Sequence, residues 1–261
     1  MPRPRLGPPE SQLQSLDRAL AALELFTPER PALDLSEVAA RLGAGRSTVH
    51  RLCSTLVARG YLTYDQRTRE YRLGLAAIRL GNAALAGLDV RQAARPHLIR
   101  LAEITGEFTF LLVAQDDSAI VVDRVEGSHP LRLTLNPGAP WPLHAGASNK
   151  VLLAHLPADR VDAYLSRNLT RVTERTPVDP EALRADLLQI RAQGHAFSVG
   201  ELTPDVGAYA VPILDGENLL GGLCVAGPAS RLRGRDEILV DLKRAAWEIA
   251  RELGSRACSD R

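Results

Sequence analysis

The stretch LSEVAARLGAGRSTVHRLCSTLVARGYLTYDQRTREYRLG, residues 35–74, decides the fold of the first part of the chain. Its pattern predicts two short helices, with Ser36 and Ser47 as N-caps and with Gly43 and Gly60 at the C-terminal ends. Apolar residues recur at helical spacing on one face of each helix, which predicts a small shared core. These residues are Leu35, Val38, Ala39 and Leu42 in the first helix, and Val49, Leu52, Cys53, Leu56 and Val57 in the second.

A basic hairpin is predicted after the second helix. Polar and apolar residues alternate after Gly60 on both sides of a polar tip at residues 65–68, which is typical of two antiparallel strands joined by a turn. Two helices separated by a turn of about four residues and followed by such a hairpin form the pattern of a winged helix-turn-helix. A small helical bundle would also expose the polar residues, but it does not explain the hairpin. We therefore predict a winged helix-turn-helix over residues 11–74.

Positive charge is concentrated in the same stretch. The chain has a net charge of +1, yet residues 41–72 contain seven arginines and only two acidic residues. A local basic cluster of this kind favours contact with a polyanion. The polar face of the second helix and the hairpin carry hydroxyl, imidazole and guanidinium groups, which donate hydrogen bonds to bases and phosphates. The predicted DNA-binding residues are Arg46, Ser47, Thr48, His50, Arg51, Thr55 and Arg59 on the helix, and Arg67 and Arg69 on the hairpin.

The remaining chain predicts a second domain. Helical and strand patterns alternate there, and six strands flanked by helices indicate an α+β fold with a mainly antiparallel sheet. The strands are predicted at 108–115, 119–126, 131–135, 195–201, 208–214 and 219–227. The predicted organisation is a disordered leader at 1–10, a DNA-binding domain at 11–74, a linker or dimerisation helix at 75–88, the α+β domain at 89–255 and a tail at 256–261.

Composition argues against several other classes of protein. No stretch reaches the roughly 18 uncharged apolar residues of a membrane span, and the first residues, MPRPRLGPPESQ, lack the apolar run of a secretory signal. The three cysteines, at positions 53, 224 and 258, are too scattered for a disulfide framework. No metal-binding motif or phosphate-binding loop occurs. We expect a cytoplasmic protein with no metal and no cofactor.

Several spaced motifs resemble those of the IclR-type bacterial transcriptional regulators, over about residues 11–255. They are SLDRALAALELF, the helix-turn-helix stretch given above, PLHAGASNKVLLAHLP, RTPVDPEALRADLLQIRAQGHAFSVGEL, AVPILD and VAGP, in this order. The resemblance implies a homo-oligomer, a dimer or a dimer of dimers, that binds a palindromic operator in double-stranded DNA. It also implies a GAF/profilin-like second domain that binds a small-molecule effector. Members repress or activate genes for the metabolism of small organic or aromatic acids.

The resemblance also implies where the effector binds, between the motif PLHAGASNK and the later strands. The implied residues are Gly146, Ala147, Ser148, Asn149, Glu201, Ala208, Tyr209 and Cys224. A helix that begins near Gly146–Asn149 presents unpaired N–H groups and a positive dipole end to a carboxylate. Asn149 stands where the family often has glycine, and Ala208, Cys224 and Ala226 stand where many members have polar or cysteine residues. We therefore expect a less polar site that favours an aromatic acid, with Phe110, Trp141 and Tyr209 as further lining candidates.

Two alternative functions remain at this point. The run from Gly146 to Lys150 nearly spells the nucleophile elbow of a serine hydrolase, with Ser148 as nucleophile and with His144 and His155 nearby, but it lacks the closing glycine. The second alternative is a constitutive DNA-binding protein that has no effector. Cys224 is expected in the core, and the alternatives are a residue of the effector site or a thiol sensor.

Overall fold

The computed structural model describes residues 13–129, 138 and 140–259. The chain divides into two compact units between Gly87 and Leu88. The predicted leader at 1–10 and the predicted strand at 131–135 lie outside the described residues, as does the end of the predicted tail.

The N-terminal unit is a winged helix-turn-helix. Its elements are α1 (Gln14–Glu24), β1 (Ala32–Asp34), α2 (Leu35–Leu42), α3 (Arg46–Ala58), β2 (Leu62–Asp65), β3 (Glu70–Leu73) and α4 (Leu75–Ala86). The predicted hairpin, β2 and β3, is the wing, and β1 adds a third antiparallel strand on the other side of β3. Strand β1 escaped prediction because three residues are too few to show an alternating pattern.

The two predicted N-caps are wrong. Helix α2 is capped by Asp34, whose Oδ1 accepts hydrogen bonds from the backbone N–H groups of Ser36 at 2.7 Å and Glu37 at 2.9 Å. Glu37 Oε2 in turn accepts from the Asp34 N–H at 2.9 Å, which completes a capping box. Helix α3 begins after Gly45 without a side-chain cap. Ser36 and Ser47 therefore lie inside their helices, since each helix starts earlier than the serine pattern indicates.

The core of the N-terminal unit confirms the predicted apolar faces of α2 and α3. Val38 and Ala39 from α2 and Val49, Cys53 and Leu56 from α3 are buried, and the remaining predicted positions pack against them. Helix α1 and the residues beside it place only some of their apolar side chains in this core. Ala22 and the following Phe26 are buried, whereas three leucines on α1 and just before it are exposed: Leu13, Leu16 and Leu20.

The C-terminal unit confirms the predicted six-stranded antiparallel sheet. Its elements are α5 (Asp89–Thr105), β4 (Phe108–Gln115), β5 (Ser118–Val125), β6 (Pro140–Pro142), α6 (Ala147–Ala154), α7 (Ala158–Leu165), α8 (Pro180–Gln193), β7 (Ala196–Val199), β8 (Val206–Asp215), β9 (Asn218–Pro228), α9 (Ala229–Leu232) and α10 (Glu237–Ser259). The strand order is β6-β5-β4-β9-β8-β7. Strand β6 lies in a proline-rich segment outside the six predicted strand ranges.

The two faces of this sheet are covered by different helices. Helix α6 packs on β4, β8 and β9 and against α8, while α5 and α10 pack on the opposite face. Alternate residues of β4 show this division, since Phe108, Phe110 and Leu112 belong to the core beneath α6, whereas the Thr109 hydroxyl donates to the Leu98 carbonyl in α5. All eight residues of α6 are buried between the sheet and α8.

Candidate functional site

The exposed face of α3 contains all the predicted helical DNA-binding residues. Arg46, Ser47, Thr48, His50, Arg51 and Thr55 are exposed, as is Arg59 at the C-cap. Helical spacing divides them into two stripes. The wing-side stripe, formed by Arg46, His50 and Ser54, lines a cavity of about 620 Å³ next to the wing. The α1-side stripe, formed by Thr48, Arg51 and Thr55, lines a cavity of about 710 Å³ next to α1.

The wing presents the two other predicted DNA-binding residues, Arg67 and Arg69, both exposed. The side chain of Asp65 forms the turn between β2 and β3, because its Oδ1 accepts from the backbone N–H groups of Arg67 at 2.8 Å and Thr68 at 3.3 Å. Such Asx turns stabilise a short loop without using apolar contacts. The wing tip therefore offers its guanidinium groups to a partner.

Two backbone N–H groups at the N-terminus of α6 are bonded by the chain's own side chains. Glu201 Oε2 accepts from the Gly146 N–H at 2.8 Å, and Ser198 Oγ accepts from the Ala147 N–H at 2.8 Å. The expectation of unpaired N–H groups at the helix start, near Gly146–Asn149, is therefore wrong for Gly146 and Ala147. A carboxylate does lie at this helix end, as the dipole favours, but it belongs to Glu201.

Glu201 is also part of a buried ion cluster on α6. The Lys150 ammonium lies 2.8 Å from Glu201 Oε1 and 2.8 Å from Asp186 Oδ2 in α8, and Lys150 is only 4% exposed. Burial alone would lower the pKa of Lys150, but the charges and hydrogen bonds of Glu201 and Asp186 outweigh it and raise the pKa. No functional role was predicted for Lys150, Asp186 or Ser198. A lysine among the apolar residues of α6 was the one available signal, because a buried charge requires a partner.

The sheet-facing side of α6 brings together other predicted effector residues. Ser148 lies against β9, where its hydroxyl contacts the thiol of Cys224. Ala208 and Ala226 belong to the same apolar layer, together with Phe110. The Asn149 amide donates to the Pro142 carbonyl at 2.9 Å, which ties α6 to β6. Burial raises the pKa of the Cys224 thiol, so this residue is a protonated core thiol rather than a reactive thiolate.

Trp141 on β6 packs against the same layer. Its indole Nε1 is buried, and it has no hydrogen-bond partner in the part of the chain that the structure describes. Buried indole N–H groups usually find an acceptor. A polar donor is therefore available beside the apolar layer beneath α6.

Tyr209 does not belong to this site. Its neighbours on β8, Ala208 and Ala210, face the layer beneath α6, so Tyr209 faces α10. Its hydroxyl donates to Asp236 Oδ1 at 3.3 Å, and its ring lies 4.4 Å from that of Phe197. Tyr209 was assigned to the effector site by resemblance alone, and strand alternation corrects that assignment.

The arrangement around Ser148 is not that of a hydrolase. His144 is buried, with Nδ1 2.8 Å from the Tyr164 hydroxyl and Nε2 2.9 Å from the Thr170 carbonyl. His155 Nδ1 contacts the Val151 carbonyl at 2.9 Å. Both histidines are therefore engaged with groups other than Ser148. In the described ranges no three His, Cys, Asp or Glu residues are grouped to hold a metal ion, and none of the helices there is long and apolar enough to cross a membrane.

Comparison with known proteins agrees with both units. The family model for the C-terminal domain of IclR bacterial transcriptional regulators matches residues 82–251, and the model for the IclR helix-turn-helix domain matches residues 15–66. The chain belongs to the IclR family of bacterial transcriptional regulators. The N-terminal domain of this IclR-type regulator accordingly binds DNA, and its C-terminal domain binds a small-molecule effector.

Similar proteins extend over most of the chain. The transcriptional regulator BhcR of Paracoccus denitrificans is 39% identical over 244 residues, which cover 92% of this chain and 86% of BhcR. The repressor IclR of Escherichia coli is 30% identical over 230 residues, covering 87% of this chain and 84% of the repressor. Both are named as regulators. The prediction of a regulator rather than an enzyme is confirmed, and nothing supports the hydrolase alternative.

Solved structures share the fold. An IclR-type regulator from Silicibacter sp. TM1040 has a TM-score of 0.82 at 30% identity, covering 92% of this chain and 96% of the other. An IclR homologue from Microbacterium hydrocarbonoxydans, solved in complex with 4-hydroxybenzoate, has a TM-score of 0.81 at 29% identity, covering 92% of this chain and 99% of the other. These matches confirm the predicted two-domain α+β architecture.

Proposed function

We propose that this IclR-type regulator binds a palindromic operator as a homo-oligomer in the bacterial cytoplasm and releases or tightens its hold when a small organic acid binds. The observation that carries the proposal is the exposed face of α3, which carries Arg46 and Arg51, together with the exposed Arg67 and Arg69 on the wing. A helix of this kind enters the major groove, while the wing contacts the backbone. An aromatic acid is the effector class that the apolar layer beneath α6 favours.

Arg51 is the proposed reader of a guanine, because a guanidinium donates two hydrogen bonds to guanine O6 and N7. Arg51→Ala should cost about 1–3 kcal/mol on the operator and relax specificity there. Arg67→Ala should weaken binding to all sequences alike, since a phosphate contact carries no sequence information. Fluorescence anisotropy measures the affinity of each variant for an operator duplex and for a random-sequence duplex. Equal losses for both variants on both duplexes would contradict this division of roles.

The oligomer is proposed to form through exposed apolar side chains of the N-terminal unit. Leu13, Leu16 and Leu20 at α1 are exposed, as are three residues of α4: Leu75, Ile78 and Leu80. Exposed apolar patches of this extent mark interaction surfaces, and a palindrome requires two recognition helices. Ile78→Glu should shift the protein towards the monomer in analytical ultracentrifugation. A monomeric wild-type protein, with and without operator DNA, would refute the proposal.

The effector is proposed to bind between α6 and the sheet, near Ser148, Asn149, Ala208 and Cys224. The Trp141 indole offers an unused donor beside the small side chains of Ala208 and Ala226. The complex of the Microbacterium homologue with 4-hydroxybenzoate supports this effector class. The proposed function involves no metal and no cofactor.

Trp141 fluorescence tests effector binding directly. The chain has two tryptophans, and the other, Trp247 on α10, is 59% exposed, so Trp247→Phe isolates the signal of Trp141. A panel of carboxylic acids that includes 4-hydroxybenzoate should contain one that changes this signal and the operator affinity together. A Trp141→Phe protein reports only on Trp247. An acid that changes the fluorescence of this protein, but not that of the Trp247→Phe protein, would contradict the site. Operator binding that no acid alters would favour the constitutive DNA-binding protein.

A further inference from the structure

The cavity between α3 and the wing is lined by basic residues from both elements. Arg46 and His50 from the wing-side stripe face Tyr64 and Arg69 from the wing across about 620 Å³ of open space. The guanidinium groups of Arg46 and Arg69 form no ion pair within the described ranges. Asp34 also lines the cavity, and its carboxylate keeps its negative charge while Oδ1 caps α2, but the two guanidinium groups outnumber it. The cavity therefore presents unpaired positive charge from two independent elements.

The backbone of Arg69 has a left-handed conformation. Its φ is +60°, and the other residues besides glycine with positive φ in the described part of the chain are two aspartates, Asp116 and Asp205. Aspartate tolerates this region better than most side chains, whereas arginine has no such advantage. Glycine would fit the position without strain. Strained positions of this kind point to a functional demand on the side chain.

The left-handed turn separates the directions of the two wing arginines. Arg69 lines the cavity, whereas Arg67, two residues earlier at the tip, does not. The Arg69 N–H donates to the Asp65 carbonyl at 2.8 Å, which closes the wing loop. The conformation therefore places one guanidinium towards α3 and leaves the other at the tip.

We propose that a phosphate of the DNA strand passing between α3 and the wing binds in this cavity, on Arg46, His50 and Arg69. The proposal rests on the proposed DNA contacts and narrows them. Arg46 and His50 then fix the helix on the backbone, and base recognition falls to Ser47, Thr48 and Arg51. Guanidinium groups from two elements around one phosphate suit its geometry, because each can donate two hydrogen bonds to its oxygens.

Arg69→Gly tests the cavity without endangering the fold. Glycine adopts the left-handed conformation freely, so the thermal midpoint of the variant should equal or exceed that of the wild type. Binding of the full-length protein to a random-sequence duplex should weaken, and the slope of log K against log salt should fall by about one. A variant with unchanged midpoint, affinity and salt slope would overturn the proposal.

A double-mutant cycle tests whether the two arginines share one phosphate. The combination of Arg46→Gln with Arg69→Gly should lose less affinity than the sum of the single losses, because contacts to one shared partner are not additive. The matched control combines Arg46→Gln with Arg67→Gly, which should be additive because Arg67 lies outside the cavity. Additive losses in both cycles would refute a shared phosphate. A wild-type protein that binds no duplex at low salt would instead refute the proposed DNA contacts themselves.

Discussion

Replacing Lys150 with methionine tests how strongly the buried ion cluster stabilises the C-terminal unit. The Lys150 ammonium makes two hydrogen bonds of 2.8 Å, to Asp186 and Glu201. Methionine keeps an unbranched apolar side chain and removes the charge and both bonds. In the variant the Glu201 carboxylate therefore keeps only the Gly146 N–H as a hydrogen-bond partner among the described residues.

The expected magnitude follows from the exposure of the two carboxylates. Removing one partner of a buried ion pair costs about 3–5 kcal/mol. The Asp186 side chain is 40% exposed and the Glu201 side chain 14%, so water can solvate the first and partly reach the second. We expect the lower end, about 3 kcal/mol, for Lys150→Met. Asp186→Asn should cost no more than about 1 kcal/mol, as for exposed pairs.

Tryptophan fluorescence during urea unfolding measures this loss selectively. Both tryptophans, Trp141 and Trp247, belong to the C-terminal unit. The midpoint should fall by about 1 M at an unchanged slope of about 3 kcal/mol per M. The native pKa of Lys150 is raised, so its contribution is fully present below the unfolded value of about 10.4 and is lost as pH rises through the native pKa.

The loss should therefore be the same at pH 7 and pH 9. A loss below about 1 kcal/mol for Lys150→Met would show that the cluster contributes no more than an exposed pair. Equal losses for Lys150→Met and Asp186→Asn would also refute the reasoning, because it assigns most of the cost to the less solvated Glu201.

Three other changes follow from single contacts. Asp34→Ala removes the capping box of α2 and should cost about 1 kcal/mol, seen as faster hydrogen exchange in α2. Burial would raise the pKa of Glu107, but its paired bonds with Arg231 and its contact with His129 lower it on balance. Glu107→Gln should therefore destabilise at neutral pH, and its gap to the wild type in urea unfolding should close as pH falls through the native pKa. Tyr209→Phe should leave effector affinity unchanged in Trp141 fluorescence, because Tyr209 faces α10.

The DNA-binding face could be predicted from the sequence because it depends on local periodicity. The same spacing that buries Val49 and Cys53 exposes Arg46 and Arg51 on the opposite side of α3. The wing could be predicted for the same reason, since its alternating strands and polar turn lie within fourteen residues. Even here the N-caps were misplaced. Asp34 and Ser36 are both acceptable caps for α2, which starts directly where β1 ends, and α3 begins after Gly45 without a side-chain cap.

The surroundings of α6, where the effector is proposed to bind, were harder to predict because their contacts join distant segments. Ser198 and Glu201 reach the start of α6 across about fifty residues, and no local pattern relates the two segments. The face on which Tyr209 lies depends on the register of β8 against β9. A shift of one residue would exchange Tyr209 with Ala208, and the resemblance named both.

The bonds at the start of α6 bear on how the proposed site would recognise an acid. Glu201 and Ser198 already satisfy the amides of Gly146 and Ala147, so these two amides are not free for an effector carboxylate. At the proposed site an effector would gain affinity from the apolar layer that contains Phe110 and from the Trp141 indole. Apolar contact grows with buried area, and a ring offers more of it than a two- or three-carbon acid. If the effector binds at the proposed site, the internal carboxylate gives a physical reason for selectivity towards larger, ring-bearing acids.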